Sequence, residues 1–83
     1  MNYELTQHAR DVLEEREISI EWLEKALASP ELIEQATDSP ELENRFVKIA
    51  EFGNRVLRVV VNTRVVPDRV VSVYFDRRMK GKL

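Results

Sequence analysis

Residues 46–75 read FVKIAEFGNRVLRVVVNTRVVPDRVVSVYF. Three runs rich in valine and aromatic residues are divided by Gly53-Asn54 and Pro67-Asp68, the signature of strands joined as hairpins. Gly53 is free to take the positive φ that a tight hairpin turn needs, and Pro67-Asp68 suits a second turn. The spacing predicts antiparallel strands over 46–52, 56–63 and 70–75, with a weaker one over 32–36. Alternation sets Leu57, Val59 and Val61 against Val56, Arg58, Val60 and Asn62. In the last strand it sets Val71, Val73 and Phe75 against Val70, Ser72, Tyr74 and Asp76. The first group of each strand is the expected core face, with Leu57, Val59, Val73 and Phe75 buried against Leu13, Leu23 and Leu27.

N-terminal to this stretch the apolar spacing becomes helical. Thr6 is positioned to cap a helix ending near Glu15 or Arg16, with Leu5, Ala9, Val12 and Leu13 on one side. Ser19 caps a second, in which Ile18 and Leu23 form a hydrophobic staple and Trp22, Leu23, Ala26 and Leu27 the apolar stripe. Ser29-Pro30 ends it, because proline has no N–H for the next helical bond. The expected fold class is α+β, two N-terminal helices packed on one face of a three- to four-stranded antiparallel sheet. One domain is expected over 1–83: a helical layer about 5–29, a sheet about 31–76 with a long loop over 37–44, and a frayed tail over 77–83.

The charge is divided by position. Residues 1–44 carry 12 acidic and 3 basic side chains, whereas residues 45–83 carry 10 basic and 3 acidic. The sheet half therefore offers a positive surface suited to phosphates or to an acidic partner. With no cysteine and one histidine, neither a disulfide framework nor structural zinc is expected, and no metal or cofactor is assigned. No apolar run approaches the roughly 18–20 residues that span a bilayer, and the N-terminus lacks a signal-peptide pattern. The expectation is a cytoplasmic protein without a membrane partner. Gly53 and Gly81 are the only glycines, so no phosphate-cradling glycine loop or nucleophile elbow can be written. Glu14, Glu15 and Glu17 fan around a helix end as a solvated face.

What remains for chemistry is His8, several arginines and a tyrosine. His8 sits at the edge of the first apolar stripe, and Arg16 one turn beyond Val12. Arg58 interrupts an apolar strand and shares a sheet face with Tyr74. Arg45, Lys48 and Arg55, with Arg77 and Arg78, are placed to surround that face as RNA-backbone contacts while Tyr74 stacks on a base. The same pattern also fits any antiparallel sheet with one wet face.

His8-Ala9, Arg16 followed by Ile18-Ser19, the helix ending in Ser29-Pro30, Arg58-Val59-Val60-Val61 and Val70-Val71-Ser72-Val73-Tyr74 resemble a family of small domains of unknown function. That family is grouped with the RelE-like and BrnT-like toxins of the BECR-fold superfamily. The resemblance covers almost the whole chain and implies two helices before a curved antiparallel sheet, and an endoribonuclease-like scaffold in a toxin–antitoxin setting. By the same resemblance His8, Arg16, Arg58 and Tyr74 are the catalytic candidates. In this reading an RNA 2′-OH attacks the adjacent phosphate, His8 or Tyr74 moves the proton, and Arg58 with Arg16 or Arg78 steadies the phosphate charge without metal. Two other readings stand beside it. One is a non-catalytic domain whose basic sheet edge receives an acidic segment of an antitoxin-like protein, and the other is a homodimer joined through an open strand edge.

Overall fold

Both helices begin where their capping side chains stand. In the computed structural model, which describes residues 2–83, Thr6 Oγ1 accepts the Ala9 N–H at 3.1 Å and Ser19 Oγ accepts the Glu21 N–H at 3.1 Å. Helix α1 spans Gln7–Glu15 and α2 spans Ile20–Ala28. Between them Glu17 takes a left-handed φ of 52°. The Ile18 N–H then returns to the Leu13 carbonyl at 2.9 Å, satisfying an orphan carbonyl and burying Ile18.

The strands are β1 (Tyr3–Leu5), β2 (Leu32–Gln35), β3 (Leu42–Ile49), β4 (Arg55–Asn62) and β5 (Asp68–Phe75), in spatial order β1-β5-β4-β3-β2. The fold is α+β as expected, but the sheet has five strands and is mixed. β1 pairs in parallel with β5, and the other neighbours are antiparallel. A three-residue strand before the first helix has too little alternation to be read. β3 starts at Leu42, inside the stretch expected to be a loop, because the polar residues Glu43, Asn44 and Arg45 pair with Val61, Val60 and Val59. At its other end β3 stops at Ile49. Residues Ala50–Phe52 form a 3-10 turn, and Gly53 (φ 68°) and Asn54 (φ 58°) are both left-handed. The hairpin link is thus longer than the expected two-residue turn, since Phe52 folds back onto Trp22 and Phe75 with ring centroids 5.4 and 5.1 Å away.

Leu57, Val59, Val73, Leu13 and Leu23 are buried as expected, while Phe75 and Leu27 are half-buried. One strand face departs from simple alternation. Val60 pairs with Ser72, yet Val61 pairs with Val70, so Val71 is an extra residue without a partner in β4. This β-bulge reverses the parity of β5 on its N-terminal side. Val70, assigned to the outer face by alternation, lies fully buried opposite Val61, and Val71 is only half-buried.

The bulge gives a direct test. Val70→Thr places a hydroxyl in the core and is expected to cost about 1–3 kcal/mol, whereas Val71→Thr is expected to cost less than about 0.5 kcal/mol. Denaturant titration of the two variants reads the difference, and the reverse ranking would mean the bulge is misplaced.

Candidate functional site

β1 covers β5 only from Asp68 to Val70. The chain then leaves the sheet at Thr6, whose N–H bonds to the Val70 carbonyl at 3.0 Å and whose hydroxyl donates to the Val71 carbonyl at 3.1 Å. Beyond that point β5 has no neighbour on this side. Asp76 donates its N–H to the Val56 carbonyl at 2.9 Å. In an antiparallel ladder this sets Asp76, Tyr74 and Ser72 as the residues bonded to β4, and it aims the N–H and C=O of Val73 and Phe75 outward.

The end of β5 forms the floor of a groove of about 800 Å³, with Val73 itself fully buried. Ser72, Val73, Tyr74 and Phe75 of β5 and Asp76 just beyond it line the groove. His8, Val12, Glu15 and Arg16 of α1 form one wall, and Arg55, Arg77 and Lys80 complete the rim. His8 Nε2 lies 3.5 Å from Ser72 Oγ. Among the described residues no carboxylate pairs with Arg16, Arg55, Arg77 or Lys80. Arg55 stands 4.6 Å over the Phe52 ring. Of the two carboxylates in the lining, Asp76 is already engaged, so the groove presents net positive charge.

Arg58 lies behind this groove and not in its lining. It pairs with Phe46 on one side and Tyr74 on the other, and its guanidinium carbon is 5.4 and 5.5 Å from their ring centroids. Its Nε donates to Asn44 Oδ1 at 3.2 Å and its Nη1 to Asp76 Oδ2 at 3.0 Å. Flanked by two rings and bonded to two buried residues, this arginine fastens the outer sheet face and holds Tyr74 at the groove's rim. Asp76 also accepts the Arg78 N–H on Oδ1 at 3.0 Å. Burial pushes the Asp76 carboxyl up, but the bonds from the Arg78 backbone and the Arg58 guanidinium, with the charges of both arginines, outweigh it and hold the group below its ordinary range.

The structure thus gathers His8, Arg16, Tyr74, Arg55 and Arg77 in one groove and leaves the other candidates elsewhere. Arg45 faces the helical layer, where its Nη1 caps the α2 end at the Leu27 carbonyl (3.0 Å) and its Nε pairs with Glu43 at 2.7 Å. Lys48 pairs with Val56 on the face away from the helices, outside the groove lining. Arg78 is 82% exposed, with Nε 3.5 Å from Asp76. Lys80 and Ser72 belong to the groove although neither was singled out in the sequence. Lys80 falls in the segment expected to fray, which instead contains a 3-10 turn, Arg77–Met79, capped by Asp76. Ser72 carries no signal until the parallel β1 sets α1 beside it. Among the described residues no three His, Asp or Glu side chains converge to hold a metal ion, and no helix is long and apolar enough to cross a membrane.

A family profile described as Domain of unknown function (DUF4258) matches residues 5–75. The chain belongs to the DUF4258 family. The match runs from the last residue of β1 to the last of β5, so the DUF4258 unit contains the bulge, the Thr6 junction and most of the groove. No curated protein and no solved structure matched this DUF4258 chain.

Asp76→Asn tests the support beneath the groove. The amide keeps the shape but turns an NH2 toward one of two donors, so a loss of about 1–3 kcal/mol is expected at neutral pH. Because the folded carboxyl titrates below its unfolded value, its stabilisation is complete above roughly pH 4 and fades as pH falls through the lowered folded value. The gap between native protein and Asp76→Asn in thermal melts is therefore expected to be constant from neutral pH to about pH 5 and to shrink in stronger acid. A gap that widens in acid would contradict this arrangement.

Proposed function

We propose that the groove along β5 binds single-stranded RNA and cleaves it in the manner of a RelE/BrnT-like toxin-type domain, without metal. The observation that supports this reading is the meeting of the single histidine with Tyr74 and four cations, Arg16, Arg55, Arg77 and Lys80, along one recess. A strand of RNA presents a phosphate every few ångströms, which suits a narrow row of cations, and its bases suit an exposed tyrosine ring.

In the reaction the 2′-OH oxygen attacks the adjacent phosphorus and the P–O5′ bond breaks, leaving a 2′,3′-cyclic phosphate and a 5′-OH. One proton leaves the 2′-OH and one must reach the departing 5′ oxygen. Imidazole is suited to proton exchange near neutrality, so His8 is assigned one transfer and the Tyr74 hydroxyl the other. Arg16 and Arg77 stabilise the charge that grows on the phosphoryl oxygens. Arg58 acts as a positioning residue, since Asn44 and Asp76 already occupy its Nε and Nη1.

Cleavage of a mixed-sequence oligoribonucleotide in the presence of a chelator is the test. His8→Ala is expected to lower turnover by about 10²- to 10⁴-fold, and Arg16→Ala by about 10²- to 10³-fold. Products ending in cyclic phosphate are expected. Absence of cleavage by the native protein, or activity that survives His8→Ala combined with Tyr74→Phe, would end the catalytic reading.

A further inference from the structure

Phe52, on the link between β3 and β4, keeps 39% of its surface exposed although Trp22 and Phe75 pack beside it. The indole is itself tied to this link, because its Nε1–H donates to Glu51 Oε2 at 3.1 Å. On the groove side of the aromatic cluster stands Arg55, its guanidinium carbon 4.6 Å over the Phe52 centroid. Arg55 and Phe75 line the groove, whereas Phe52 and Trp22 do not, so the guanidinium forms a layer between the cluster and the recess. Among the described residues no carboxylate pairs with Arg55. Glu51, only four residues away, bonds Trp22 instead. The side chain thus offers a ring-backed guanidinium face and unpaired N–H donors together. A cation that met phosphates alone would need no ring behind it.

We propose that Arg55, backed by Phe52, is a stacking subsite for an unpaired nucleobase, an inference that rests on the reading of the groove as an RNA site. Bases of single-stranded RNA stack on guanidinium planes as they do on aromatic rings. The stack runs Trp22, Phe52, Arg55 and then the base, with the guanidinium edge left for a phosphate. This subsite lies at the end of the groove away from His8. The Asp76 N–H bonds to the Val56 carbonyl at 2.9 Å, which sets the start of β4 beside Asp76, whereas His8 meets Ser72. Four residues of strand separate the two points by about 13 Å, so the stacked base belongs to a nucleotide flanking the one that is cut. Every base has a π-face, so the subsite selects an unstacked base and not a particular letter. It disfavours duplex RNA, whose bases are already stacked on one another.

The test compares two uncleavable probes of equal charge by fluorescence anisotropy: 2′-O-methyl hexauridylate and the same backbone with every base removed. Native protein is expected to prefer the base-bearing strand by about tenfold for each base that stacks, one on Arg55 and one on Tyr74. Arg55→Lys, an exposed change that keeps the charge, is expected to lower this preference about tenfold while binding the abasic strand as tightly as native protein. Phe52→Leu removes the backing ring but leaves Arg55, and is expected to lower the preference to a smaller degree. An unchanged preference in Arg55→Lys would overturn the subsite and leave the groove as an RNA site. Equal weakening of both strands would also overturn it and make Arg55 a phosphate contact. Binding of neither strand by native protein would overturn the groove reading as well.

Discussion

The organising constraint is the mismatch in length between β1 and β5. Three residues of β1 cover the start of an eight-residue strand, and the chain must then turn out of the sheet. Thr6 makes the turn with three bonds: its N–H to Val70, its hydroxyl to Val71, and acceptance of the Ala9 N–H that starts α1. One residue therefore ends the parallel pairing, pins the bulge and begins the helix. The consequence is that α1, rather than a strand, lies beside the end of β5, which brings His8 and Arg16 into one groove with Ser72 and Tyr74.

The opposite side of β5 is held by a different device. Neither α1 nor α2 packs on the sheet's outer face, yet Asn44, Phe46, Val56 and Asp76 are buried there. Arg58 accounts for much of that order, since its guanidinium joins Asn44 to Asp76 and lies between two rings, one from β3 and one from β5. Asp76 in turn caps the last 3-10 turn, from which Arg77 reaches the groove. The arginine that looks most like a phosphate ligand in the sequence thus serves as a tie, and the cations free to meet a ligand stand around it.

Much of the architecture was legible because period and capping are local. The helix starts at Thr6 and Ser19, the staple of Ile18 and Leu23, and the inward positions of Leu57, Val59 and Val73 all follow from neighbours a few residues away. The misses are non-local. β1 is too short to show a period and is a strand only because β5 is there to pair with. The bulge at Val71 leaves no mark in a run of valines, so strict alternation carried Val70 to the wrong face. Of the candidate site, the shared face of Arg58 and Tyr74 could be read from the alternation. The separation of Arg45 from Arg55's groove could not, because it depends on Arg45 finding the α2 terminus. Lys80 was hidden by a tail that holds structure through the Asp76 cap.

The groove along the end of β5, with the cations around it, is the proposed site for an anionic strand. Titration of isotope-labelled protein with a short 2′-O-methyl oligoribonucleotide, which cannot be cleaved through its 2′ oxygen, tests it most directly by backbone amide shifts. Changes are expected to concentrate at His8, Arg16, Arg55, residues 72–77 and Lys80, with Arg45 and β2 unmoved. Changes centred on Arg45, Lys48 or β2, or none at all, would contradict it.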